Sequence, residues 1–124
     1  MAAEREGKTE QDGLYTLVTF VPPEYTEKLL AALFDAGAGK LGAYDHCAFV
    51  SAGVGRFRPL PGSDPFIGQE GKDELVREDR VELVVAGKNL EAVLTALRGT
   101  HPYEEPAVYV YKIEPLAIRQ RKDQ

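Results

Sequence analysis

Hydrophobic positions along the chain recur with two periods, and the switches between them divide it into elements. From Leu14 to Val21 (LYTLVTFV) nearly every residue is apolar, aromatic or β-branched, which predicts a strand central in a sheet. Pro22-Pro23 ends that run. Pro23 or Glu24 then opens a helix, since a first turn leaves the N–H that proline lacks unpaired and an acidic group suits the helix dipole. Leu29, Leu30, Leu33 and Phe34 follow at helical spacing and form one apolar stripe. Gly37 and Gly39 supply a positive-φ stop.

The same pattern returns downstream. Arg80 to Ala86 (RVELVVA) predicts a strand, and Lys88 or Asn89 opens a helix striped by Leu90, Val93, Leu94 and Leu97 and ended by Gly99. Leu17 and Leu33 stand as far apart as Val81 and Leu97. A strand is predicted after each unit, at Leu41–Ser51 and at Ala107–Ile113. Two βαβ units with single-striped helices place both helices on one sheet face. The predicted class is therefore α+β: a ferredoxin-like βαββαβ sandwich on a four-stranded antiparallel sheet. On the first strand Tyr15, Leu17 and Val21 alternate with Thr16, Val18 and Phe20, so both faces are apolar. A sheet with one face in water does not need this, and the pattern predicts an oligomer packed sheet against sheet.

Between the units, Ala52–Lys72 (AGVGRFRPLPGSDPFIGQEGK) is too long for a structureless connection in a small domain. It predicts a protruding hairpin or arm. Gly53 and Gly55 mark a tight reversal or bulge, Arg56–Leu60 a short strand, and Gly62–Pro65 a turn. Residues 1–13 are polar and aperiodic and read as a disordered segment, and 117–124 as a polar tail. The span 14–116 is then a single domain.

Composition changes this picture only by exclusion. The chain has 124 residues, 44% of them hydrophobic and 28% charged, as in ordinary soluble domains. A formal net charge of -5 offers no basic face, so no nucleic-acid partner is expected. No apolar run approaches the roughly 20 residues that span a bilayer. The lone Cys47 excludes an internal disulfide and the polar start is unlike a secretory signal, so a cytoplasmic setting is expected.

Candidate chemistry is sparse. His46 and Cys47 are neighbours on a predicted strand, where they point to opposite faces and cannot pair as thiol and imidazole. Cys47 is expected to be a small buried residue. His46, His101 and Glu104 are candidate ligands for a divalent transition metal, with Asp45 and Glu105 as further oxygen donors. No HxH, HExxH or CxxC spacing supports them, and the second and fourth strands meet only across a subunit boundary. The other reading of each histidine is a hydrogen-bonded structural one. Arg56 and Arg58, two apart on an extended chain, can clamp an anion together, or be two solvated arginines. In HPYEEP (101–106), Pro102 and Pro106 hold His101 and Glu105 extended, and Tyr103 can bury its ring with its hydroxyl paired. Glu104 and Glu105 face opposite ways and form no catalytic pair. The segment reads as a rigid corner entering the last strand.

Together YTLVTFVPPEYTEKLLAALFDAGAGKLGAYDHCAF, GVGRFRPLPGSDPFIGQEGK and HPYEEPAVYVY resemble the central insert of bacterial YqfO-type proteins. Those are members of the Nif-three-like (NGG-one interacting factor three) dinuclear-metal-centre family, and the resemblance spans about Tyr15 to Pro115. It implies a PII/CutA-like fold and a homotrimer. The function expected is a non-catalytic, regulatory module that binds a small anionic ligand or a protein partner at subunit seams. Arg56 and Arg58 on the arm, with Tyr44, His46, His101 and Glu104 near a subunit cleft, are the expected contacts. HPYEEP also resembles a segment of CutA, a protein associated with divalent-metal tolerance. The alternative is therefore a divalent-metal-binding protein using His46, His101 and Glu104. In the family the two-metal site is built by the halves that flank the insert, so a small stand-alone chain of this type is expected to carry no dinuclear centre and no hydrolase activity.

Overall fold

The computed structural model describes residues 13–118. Residues 1–12 and 119–124, which carry most of the expected disordered start and polar tail, lie outside the described residues. Strand β1 is Leu14–Val21, as its composition predicts. Pro22-Pro23 ends it, and a 3-10 turn at Pro23–Tyr25 leads into helix α1, Thr26–Asp35. The end of α1 is a Schellman motif: the Ala38 N–H donates to the Leu33 carbonyl and the Gly37 N–H to the Phe34 carbonyl, both at 3.0 Å. Strands β2 (Phe49–Phe57) and β3 (Glu74–Ala86) follow, then a 3-10 turn at Gly87–Asn89 and helix α2, Leu90–Thr100. Strand β4 is Val108–Lys112, and a 3-10 turn at Pro115–Ile118 closes the described chain. The four strands lie in the order β2-β3-β1-β4, every neighbouring pair antiparallel. This is the ferredoxin-like arrangement.

Three local expectations fail, each for a physical reason. The second strand lies further along, at Phe49–Phe57 rather than Leu41–Ser51. Gly39 has φ +85° and donates its N–H to the Val84 carbonyl at 2.7 Å, which turns the chain off the end of β3. Leu41 and Tyr44 then exchange backbone hydrogen bonds at 2.8 and 3.0 Å, closing a tight reversal whose apolar residues face solvent. Gly53 and Gly55 make no reversal. They sit inside the ladder, opposite Glu78 and Val76, and pairing continues to Phe57. Gly99 does not end α2. The helix runs on to Thr100 and stops because Pro102 forces His101 into an extended conformation, φ −66°, ψ 133°.

Register separates the two sheet faces. Leu17 is paired with Leu83 on one side and Val110 on the other, so these three share a face. Both helices cover it. Leu17, Val21, Val81 and Val85 pack there against Leu29 and Leu33 of α1 and Val93 and Leu97 of α2, all effectively without solvent contact. The opposite face carries Thr16, Val18 and Phe20 of β1, Phe49 of β2, and Tyr109 and Tyr111 of β4. No helix among the described residues covers this second face. Phe49 is 63% exposed and Tyr111 57%.

Strand β3 outruns β1. Val21 pairs with Asp79, so Glu74–Glu78 of β3 continue beyond the end of β1 with only β2 beside them. That two-stranded ribbon and the connection from Arg58 to Asp73 form the predicted arm.

Candidate functional site

The arm folds back rather than extending freely into solvent. The Gly71 N–H donates to the Pro59 carbonyl at 2.8 Å, closing the connection at its base. Phe66 meets Tyr25 edge-on at 5.7 Å between ring centroids, and lies 6.4 Å from Tyr103. Between the arm and the helix-free sheet face is a cavity of about 800 Å³. Its lining includes five aromatic rings, those of Phe20, Phe57, Phe66, Tyr103 and Tyr109. Arg56, Arg58 and Arg80 line it together with Glu78, Glu104 and Glu105, so acid and base are balanced around an apolar interior.

The HPYEEP corner forms the back of this cavity, and His101 is what fixes the corner. Strand β1 pairs with β4 only as far as Thr19–Val108, which leaves the Phe20 carbonyl beyond the ladder. The His101 ring nitrogen Nε2 lies 2.7 Å from that oxygen, while Nδ1 accepts the Tyr103 N–H at 3.2 Å. Nε2 therefore carries the proton and the ring is neutral. Burial lowers the His101 pKa, opposed by the hydrogen bond to Phe20 and by the charge of Glu78. A side-chain hydroxyl, Thr19 Oγ1 donating to the Ala107 carbonyl at 2.9 Å, holds the far side of the corner.

Tyr103 passes this order into the cavity. Its hydroxyl donates to Glu78 Oε2 at 2.7 Å, and burial followed by that carboxylate raises its pKa well above the usual phenol range. Tyr103 keeps its proton and remains a donor. Glu78 in turn reaches across β2 because residue 55 is glycine. A Cβ at Gly55 would overlap the carboxylate, 2.5 Å from its Cδ. Gly55 has no positive φ, so it supplies room rather than backbone freedom.

The residues singled out from sequence fall into two places. Arg56, Arg58 and Glu104 line the cavity, and His101 lies behind it. Glu104 Oε1 also accepts the Asp64 N–H at 2.9 Å, tying the corner to the arm. Tyr44 and His46 sit elsewhere, on the turn docked near Val84, about 20 Å along β3 from Glu78 at the usual rise per residue. His46 has φ +54° and stacks its ring on Phe34 at 4.5 Å; Tyr44 is 76% exposed. One chain thus does not bring His46 to His101 and Glu104, and both ring nitrogens of His101 already have protein partners. Among the described residues no group of three His, Cys, Asp or Glu side chains is placed to hold a metal ion, so nothing in them fits a dinuclear centre. Cys47 is half-buried rather than core and contacts the Asp45 carbonyl, Sγ to O 3.6 Å. It and His46 lie in a turn, not on a strand, and share no hydrogen bond among the described residues. Glu78, Tyr103 and Gly55 form the most organised polar group in the cavity. Glu78 sits in the charged run VREDRVE, before the strand expected at Arg80–Ala86, and only the register opposite Gly53 and Gly55 reveals it.

The fold is of the PII/CutA-like ferredoxin type. A PII-like CutA protein from a Nostoc species superposes with a TM-score of 0.63 over 88% of both chains, at 16% identity, a likeness of fold alone. A Bacillus cereus protein related to NIF3 superposes at 0.73 over 83% of this chain and 26% of its own, with 38% identity. A GTP cyclohydrolase 1 type 2 homolog of Bacillus subtilis is 49% identical over 106 residues, 86% of this chain and 28% of that protein. The chain is thus a homologue of one region of YqfO/NIF3-related proteins. It spans about a quarter of the length of the relatives it matches. No protein-family model matches it. No helix among the described residues is long and apolar enough to cross a membrane.

Proposed function

We propose that this chain is a non-catalytic, regulatory module that assembles as a homotrimer and binds a small anionic ligand or a protein partner where its subunits meet. The observation that carries this reading is the cavity of about 800 Å³ between arm and sheet, with Arg56 and Arg58 in its lining. That volume suits a small molecule, and guanidinium forks favour carboxylate or phosphate oxygens. The exposed aromatics supply the reason to assemble. Tyr109 both lines the cavity and belongs to the bare set with Phe49 and Tyr111, so a copy packed on that set borders the pocket.

The test has two arms. Sedimentation velocity at micromolar concentration is expected to give a trimer; a well-behaved single chain overturns the assembly. Thermal shift with inorganic phosphate, nucleotides and phosphorylated metabolites is expected to stabilise the wild type and not Arg56→Ala/Arg58→Ala. Equal shifts in both proteins, or none in either, remove the arginine clamp.

A further inference from the structure

Within this cavity the Glu78 carboxylate is half used. Oε2 accepts the Tyr103 hydroxyl at 2.7 Å, and Oε1, lying over Gly55, accepts no hydrogen bond from any described residue. Nor does a cation neutralise it: the ion pair present among the described residues, Arg80 with Glu82 at 2.8 Å, draws away the nearest arginine on the same face of its strand. A carboxylate partly withdrawn from water in an aromatic pocket favours a donor at its open oxygen, and aromatic faces favour positive charge. Three features hold it there, namely the space at Gly55, the Tyr103 hydroxyl, and the His101 contact that orients Tyr103. A solvated surface glutamate needs none of them.

We propose that Glu78 makes the cavity a receptor for an aromatic zwitterion: a flat ring bearing a protonated amine and a separate acidic group. The ring lies among Phe20, Phe57, Phe66 and Tyr109, the nitrogen donates to Glu78 Oε1, and the acidic group meets Arg56 and Arg58. The proposal rests on the ligand-site reading of the cavity given above and adds the donor that the arginines alone do not require. Tyr103 is a positioning residue, acting through Glu78.

One ring with four charge patterns tests this: indole, tryptamine, indole-3-propionate and tryptophan, titrated into ¹⁵N-labelled protein and read at the amides of Gly53, Gly55 and Tyr103. Tryptophan and tryptamine are expected to bind Glu78→Gln at least tenfold more weakly than wild type, and Tyr103→Phe several-fold more weakly. Indole-3-propionate is expected to bind Glu78→Gln as well as or better than wild type. The spectrum of each variant reports its folding directly. Equal tryptamine and tryptophan affinity in wild type and Glu78→Gln overturns the anchor, and an Arg56/Arg58-dependent response to indole-3-propionate would then leave the anionic-ligand reading standing. Absence of amide shifts with all four probes at millimolar concentration overturns both.

Discussion

The two faces of the sheet are built from similar residues and do different work. On the helix side Leu17, Val21, Val81 and Val85 are sealed beneath α1 and α2. On the other side Phe20, Phe49, Tyr109 and Tyr111 are equally apolar, yet they meet an arm, a cavity and solvent. The difference lies in what each face is asked to exclude. The helix face excludes water permanently, and tight packing makes it intolerant of lost volume. On the proposed reading, the bare face instead receives a ligand or another subunit. Stability is therefore expected to concentrate on one side and recognition on the other.

The sharpest way to break that contrast is to cut one group from each side. Leu33→Ala, at a site with no solvent contact, should lower unfolding free energy by about 2–5 kcal/mol in urea denaturation. Gly55→Val comes next, because its side chain must displace the Glu78 carboxylate. A cost of about 1–3 kcal/mol is expected, together with loss of the Tyr103–Glu78 hydrogen bond, visible as a fall in the Tyr103 pKa by ultraviolet titration. A loss as large as that of Leu33→Ala would mean that the arm belongs to the core.

A smaller effect comes from His101. Its folded pKa lies below the ordinary 6.5, so under acid the unfolded chain takes up a proton that the folded chain refuses. The contribution is fully present above pH 6.5 and is lost as pH falls toward the depressed folded value, with a slope of at most about 1.4 kcal/mol per pH unit. His101→Gln, which retains a donor for the Phe20 carbonyl, should flatten that slope. The smallest effect on stability belongs to Phe49→Ala with Tyr111→Ala, expected within about 0.5 kcal/mol for the isolated chain. The same pair should shift sedimentation toward single chains, and an unchanged profile would show that the bare face is not the contact.

How much of this could be read in advance follows the same division. Periodicity located β1, both helices and their buried stripes, because amphipathic spacing records burial directly. It misplaced the second strand, since Leu41, Ala43 and Tyr44 look like strand residues while Gly39 and Gly42 bend the chain back. It gave Gly99 a stopping role that belongs to Pro102, whose effect on the preceding residue acts without any positive φ. At the site, Arg56, Arg58 and Glu104 were legible by type and spacing. His101 was legible only as a corner, which is what its two ring contacts make it. Glu78 was not legible at all, because its meaning depends on a glycine across the ladder and a tyrosine more than twenty positions away.

Strand β3 has one more consequence. Its backbone runs without a break from Glu74, at the tip of the ribbon, through Glu78 in the pocket wall, to Val81, Leu83 and Val85 in the oily interior. No hinge intervenes. A load applied at the tip is carried by a continuous beam into the part of the molecule least able to yield.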